Sequence, residues 1–428
     1  MLDVFGDFSQ DDPATALAEA AAGCPYQAAA ENGGIYAFRA DDVRHIMSSP
    51  QFWSQRSTDL RLAHLPDADR ERRARLKAFF AHWPVFSDSD YHKRIRLVTL
   101  RLLRGIVTPQ VRASYARVAD ERLAAVGGAP FDWLTEVARP LARGVVAAMT
   151  GQAGAPPLIE LSRAVMDELA TARLDMERIE QALASVEGRR DWLDAARAAP
   201  PTPFVAGIAR LWDDPDFGPE TATALLTQVV TGAHDPTLAA LCVVGERVTH
   251  DQLDHLFLPR LREEVFRLAT PFRFASRYAR EPVTVGPYEL AVGDRVNLCL
   301  ATANLDPEHH RDPLRVQDRG AAARSLTFGA GDHYCPGAPL ARSAVEALLE
   351  ALKRAGVAFR AEHVEREPEL PTLRYRTLRG RLVRPVPAAP GPPPPPAPSP
   401  PPPGPPPPPR PPPPPPRPPA APAPPPPP

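Results

Sequence analysis

The sequence predicts a mostly α domain with a minor β part, an α+β class, and three observations carry that prediction. The run from Leu225-Leu226 to Val243-Val244 is apolar over a length no ordinary strand reaches, so it is a long buried helix. Beyond the glycine-rich segment Phe328–Gly337, Ala341, Ala344, Val345, Leu348 and Leu352 keep one helical stripe. Pro339 suits the first turn of that helix and Gly356 its stop. Strand-like patches are short by comparison: Val283-Thr284-Val285, Tyr288 to Val292 and Arg295 to Leu300, parted by Gly286-Pro287 and Gly293-Asp294.

Taken in order, Met1 to Tyr26 carries Asp3, Asp7, Asp11 and Asp12 with no basic start or continuous apolar core, which argues against a signal peptide or membrane anchor. Ile35 to Arg39 reads as a strand, and Asp41 to Met47 as a helix ended by Ser49-Pro50. His92 and Arg96 stand at i,i+4, on one face of a helix. Pro259 to Leu268 is helical in pattern and closed by Pro271; Glu264 and Arg267 in it are spaced for an i,i+3 ion pair. From Pro385 to Pro428 the chain is almost all proline, holding 32 of the 58 prolines with Arg410 and Arg417 as its only charges. Such a segment has no core-forming side chains and is expected to be an extended polyproline II tail, so the domains are 1–384 and 385–428. The tail is a low-complexity spacer or a ligand for a proline-recognising partner.

A formal charge of −1 in 428 residues excludes the basic footprint of a nucleic-acid binder. Cys24, Cys242, Cys299 and Cys335 are too scattered for a disulfide framework, which favours a reducing, cytoplasmic setting.

Chemistry concentrates in Phe328-Gly329-Ala330-Gly331-Asp332-His333-Tyr334-Cys335-Pro336-Gly337. One cysteine stands where a glycine-rich loop enters a helix, and unpaired N–H groups together with the helix dipole favour thiolate there. Gly329, Gly331 and Gly337 clear side chains from the path of a large flat ligand. A dinucleotide fingerprint fails because Tyr334 stands where its third glycine belongs. Zinc lacks ligands, since only His333 and Cys335 are close.

The decapeptide resembles the cysteine loop of the cytochrome P450 family, F-G-x-G-x-H-x-C-x-G, at every fixed position. The resemblance spans about Ile35 to Arg384. It implies the cytochrome P450 fold: a triangular helical domain with small β-sheets and one b-type haem between a distal helix and the cysteine loop. Cys335 would be the axial iron ligand, and Phe328, Gly329 and Gly337 would shape its loop. His92, Arg96, Arg277 and His333 would meet the haem propionates. Glu264 and Arg267 would form the family's E-x-x-R brace, with Arg319 as third member and Arg324 as the alternative; the stretch from Pro236 to Glu264 is short for the family and implies a trimmed helix between them. Arg94 and Arg101, turned away from His92, would offer a basic face to an acidic electron donor, a ferredoxin served by its reductase.

The distal helix departs from the family pattern A-G-x-(D/E)-T-T. Thr231-Gly232-Ala233-His234-Asp235-Pro236-Thr237 keeps small residues at Gly232 and Ala233, the acid at Asp235 and a hydroxyl at Thr237, but Pro236 replaces the usual threonine. A proline there frees the Gly232 carbonyl and predicts a kink. Proton delivery then falls to Asp235, His234, water or the substrate, because Thr237 is about 100° further round the helix. Substrate would be shaped by about Arg61 to Val85 and about Leu158 to Phe217, and Trp83 and Phe86 favour an apolar or aromatic compound. Three functions follow. The first is a monooxygenase acting on a small natural-product-like molecule. The second is an atypical member doing oxidative coupling, ring formation or dioxygen-independent chemistry. The third is a haem-binding interaction protein that recruits partners through its tail.

Overall fold

Five strands form the larger sheet of the computed structural model, which describes residues 17, 21–29, 34–54, 66–169, 175–320, 325–367 and 371–384. Its order is β1 (Tyr26–Ala28), β2 (Ile35–Ala37), β8 (Arg295–Cys299), β5 (Phe274–Ala279), β3 (Phe52–Trp53). Only β2 and β8 run parallel, with Tyr36 opposite Asn297. Both are buried nearly throughout, as a parallel pair requires. The hairpin β6 (Val283–Val285) and β7 (Tyr288–Leu290) turns at Gly286, whose φ is 56°. A third sheet pairs β4 (Phe131–Asp132), β10 (Tyr375–Val383) and β9 (Ala358–Arg366).

Helices make up the bulk of the domain. Those that position the site are α1 (Ala40–Ser48), α2 (Asp67–Ala81), α3 (Asp90–Arg104), α4 (Ala155–Leu169), α5 (Met176–Arg197), α6 (Gly218–Arg247), α7 (His250–His255), α8 (Leu258–Ala269) and α9 (Ala338–Ala355). The short α7 is the trimmed helix expected between Pro236 and Glu264. Gly356 ends α9 in the left-handed region at φ 61°, its N–H bonded to Leu352 O and Lys353 O.

Helix α6 runs through the centre of the largest apolar cluster. It continues as helix through Pro236, so the missing N–H does not interrupt it. Trp133 is fully buried against it, with its indole N–H on Leu241 O at 2.9 Å. Gly245 makes that approach possible, since a Cβ there would lie 2.7 Å from the indole ring. Strands β1, β3, β5, β9 and β10 were not expected from the sequence. Their residues alternate only in part, and arginines fill the outward positions of β10.

Among the described residues no helix is long and apolar enough to cross a membrane. The segment Arg61 to Leu65, Arg324 and the tail from Pro385 lie outside the described residues.

Candidate active site

Helix α6 shows where the interior opens. From Thr221 to Gly245 every residue is buried except Gln228, Val229, Gly232, Ala233, Asp235, Pro236 and Leu238. At about 100° per residue, Gln228, Val229, Asp235 and Pro236 all fall within roughly 60° of Gly232. One face of a core helix is therefore uncovered. Gly232 is its centre: a Cβ placed there would meet nothing within 4 Å. His234 lies about 200° from Gly232 and Thr237 about 140°, so both side chains leave this face; they are 7 % and 1 % exposed.

His234 reaches the site only through its neighbour. Its Nδ1 is 2.6 Å from Asp235 Oδ1. Arg374 Nη2, from the residue just before β10, stands 3.8 Å from Asp235 Oδ2, and Arg374 Nη1 is 2.5 Å from Asp167 on α4. Burial works to raise the Asp235 carboxyl, but the His234 hydrogen bond and the charges of His234, Arg374 and Arg163 hold it below its ordinary range.

The cysteine loop is pinned from both sides. Cys335 N–H donates to Phe328 O at 2.8 Å, which closes the loop, and Gly329 and Gly331 take φ of 74° and 64° to allow it. The Phe328 ring lies 4.8 Å from the Phe266 ring, and the Arg342 guanidinium sits 4.6 Å over it. A Cβ on Gly337 would come 3.7 Å from Cys335 Sγ, so the glycine leaves that side of the sulfur without a side chain. The expected preference for thiolate is not met by the chain alone. Burial pushes the Cys335 thiol up, and the N–H groups of Gly337 and Ala338 lower it by less. A coordinated metal cation reverses that balance by deprotonating the sulfur.

Of the four residues expected at the propionates, His92 and His333 come together and the charge of Arg277 acts on His333. The His92 and His333 rings are 4.4 Å apart. His92 Nδ1 is 2.8 Å from Pro84 O, while its Nε2 and Arg277 Nη2 are buried without a partner. Arg277 Nη1 donates to Ser276 O at 3.0 Å. Arg96 turns instead to the cysteine loop, with Nη2 2.8 Å from Tyr334 O. Asp88 was missed in the sequence: its carboxylate is 2.9 Å from His333 Nε2 and accepts the Ser54 N–H at 2.6 Å. Nothing in its local pattern marks it, because both contacts are remote in the chain.

Behind the loop, Glu264 and Arg267 form a bidentate pair at 2.8 and 3.0 Å, buried at 4 % and 1 % exposure. Arg319 Nε adds 3.0 Å to Glu264 Oε2. Arg267 also donates to Asn304 O and Pro313 O. Asn304 in turn accepts the Leu326 N–H and donates to Thr327 Oγ1. The brace thus ties α8 to the residues that lead into the cysteine loop.

A family model described as Cytochrome P450 matches residues 233–368, which hold Asp235, the brace and the cysteine loop. The chain belongs to the cytochrome P450 family. Among its relatives, the cytochrome P450 monooxygenase PikC of Streptomyces venezuelae is 28% identical over 330 residues, covering 72% of this chain and 76% of PikC. The cyclomarin C epoxidase CymV of Salinispora arenicola is 34% identical over 136 residues, 32% of each chain. The tirandamycin C-bound P450 monooxygenase TamI superposes with a TM-score of 0.73 at 24% identity, over 87% of this chain and 98% of TamI. An epothilone B-bound P450epoK gives 0.74 at 18% identity, over 90% and 100%.

As a cytochrome P450 the protein is an oxidoreductase of monooxygenase type, and the family's cofactor is haem held by a cysteine thiolate. The residues present fit that group. A soft sulfur donor has a glycine rather than a side chain at one side, one face of α6 is open, and two buried cationic or imidazole donors lack an acceptor.

Proposed function

We propose that this protein is a haem-thiolate monooxygenase that oxidises a small natural-product-like substrate with dioxygen and electrons from a ferredoxin-type donor. The uncovered face of α6 around Gly232 carries the reading, because only a bulky occupant explains an open stripe on a core helix. When bound, the haem supplies the oxygen chemistry, which a thiolate ligand promotes by pushing electron density to iron.

The chain does the rest. Cys335 holds the iron, and Phe328, Gly329 and Gly337 fix and clear its loop. His92, Arg277 and His333 receive the propionate carboxylates, and the partnerless His92 Nε2 and Arg277 Nη2 are the atoms free to meet them. Arg96 steadies the loop carbonyl of Tyr334. Glu264, Arg267 and Arg319 brace the loop from behind. Asp235 carries protons at the edge of the open face, positioned by His234 and Arg374. Val229, Ala233 and Pro236 make an apolar wall that excludes water. Residues 1–384 form the haem domain in this reading, and 385–428 a separate tail in a cytoplasmic enzyme. Arg101, in the exposed last turns of α3, would face an acidic donor, whereas Arg94 is already engaged by Asp216 at 3.0 Å. PikC, CymV and TamI, named for monooxygenation, epoxidation and a tirandamycin complex, support the substrate class by analogy.

The deciding experiment is the spectrum of the reduced protein under carbon monoxide. Wild type should show the red-shifted thiolate band and Cys335→Ala should lose it; a wild-type spectrum without that band overturns the assignment. Pro236 favours a second reading, oxidative coupling or ring formation without oxygen insertion. Turnover in isotopically labelled dioxygen separates the two, and label in the product rules out the second.

A further inference from the structure

The open face of α6 carries two polar side chains, Asp235 and Gln228, among Val229, Gly232, Ala233 and Pro236. Gln228 stands one turn, roughly 6 Å, N-terminal to Gly232 and points about 40° from it. Its Oε1 accepts the Val85 N–H at 3.5 Å from the segment that links α2 to α3. That contact leaves the two Nε2 protons uncommitted, since a side-chain amide has two donors and one acceptor oxygen. Val85 itself is 39 % exposed although apolar, so the space beside it is not filled by protein. Two residues away, the indole N–H of Trp83 is buried and unpaired. Buried donors are ordinarily satisfied, and the unpaired Trp83 N–H, with the uncommitted amide protons of half-buried Gln228 and an unfilled apolar space near it, marks a missing acceptor.

We infer that Gln228, supported by Trp83, anchors the substrate through a neutral hydrogen-bond acceptor, a carbonyl or ether oxygen set off from the carbon that is oxidised. The inference rests on the haem reading above and adds the chemical class of the substrate to it. A carboxylate is disfavoured because Asp235, two turns further along the same face, is anionic. A purely hydrocarbon substrate is disfavoured because it would leave the Gln228 and Trp83 donors dry and unpaired, which costs about 1–3 kcal/mol per group. The aromatic cluster of Phe79, Phe80, Trp83 and Phe86 holds the acceptor site in place: the Trp83 and Phe86 rings stack at 5.9 Å and 11°, and Phe80 meets Trp83 edge-on at 5.1 Å.

The test uses azoles that coordinate haem iron and differ only in an acceptor: 1-phenylimidazole and its 3-acetyl and 4-acetyl derivatives, titrated against the full-length haem protein by the red shift of the Soret band. Gln228→Leu should weaken one acetyl derivative by about fivefold to tenfold, the scale of one hydrogen bond, and leave 1-phenylimidazole unchanged. Gln228→Asn, which keeps the amide but withdraws it by one methylene, should show the same selective loss and serves where the leucine variant lacks its carbon monoxide band. Equal weakening of all three probes, or no change in either acetyl derivative, overturns the anchor. No Soret shift with any probe in the wild type overturns the haem reading instead.

Discussion

Histidine 310 shows what a single buried side chain can do to the stability of this fold. It is 4 % exposed, its Nδ1 has no partner, and burial with the nearby charges of Arg267 and Arg319 lowers its pKa to about 4, against a smaller opposing pull from Glu264. The folded protein therefore keeps the ring neutral where the unfolded chain, near 6.5, takes up a proton. Stability contributed by neutral His310 is present above about pH 6.5 and is lost as pH falls toward about 4, amounting to about 2 kcal/mol at pH 5. His310→Gln should flatten that loss, so that the melting temperature falls less between pH 7 and pH 5 than in wild type; parallel decreases in the two proteins would refute the account. At the distal face, Pro236→Thr restores a hydroxyl on the open stripe. If Pro236 is only a structural kink in an otherwise ordinary monooxygenase, the added hydroxyl should improve coupling, read as fewer electrons consumed per product formed. Loss of turnover would show a mechanism built around the proline.

Elements are held in this molecule by a few contacts that tolerate no substitute. Helix α6 meets Trp133 only because position 245 has no side chain. Gly245→Ala forces a methyl against a rigid, fully buried indole, and overpacking of this kind costs about 1–3 kcal/mol, to be read in thermal or denaturant unfolding. The brace on α8 is a second such contact. Arg267→Ala leaves buried Glu264 with Arg319 as its remaining cationic partner and frees the Asn304 and Pro313 carbonyls, so a loss of about 3 kcal/mol is expected, with weakened haem retention on gel filtration. Both predictions follow from pairing and shape that chain spacing alone does not report. The i,i+3 spacing of Glu264 and Arg267 was visible, but spacing is equally compatible with a solvated pair. Their burial, and the choice of Arg319 as third partner, depend on the path of residues 304–319.

For the whole molecule, the division at residue 384 predicts that a protein ending at Arg384 keeps the melting temperature and carbon monoxide spectrum of the full chain. A shift of several degrees on truncation would place the tail within the folding unit. Local pattern located the long distal helix, the cysteine loop with its following helix, the E-x-x-R helix and the hairpin at Gly286. It did not reveal β5, which pairs with β8 and β3, or the β9–β10 hairpin, because strand residues are chosen by partners distant in the chain.

Short-range information settled the proximal chemistry: ten consecutive residues specify a loop, a thiol and the helix that presents it, and such a motif needs only its own backbone geometry. Folding decided the rest. Tertiary packing turned His234 and Thr237 away from the open face, gave Asp235 its partner Arg374, brought Asp88 to His333, and uncovered Gln228 beside Gly232. Each of these depends on which side of a helix is left without a neighbour, and that is set by the elements packed around it rather than by the helix's own residues.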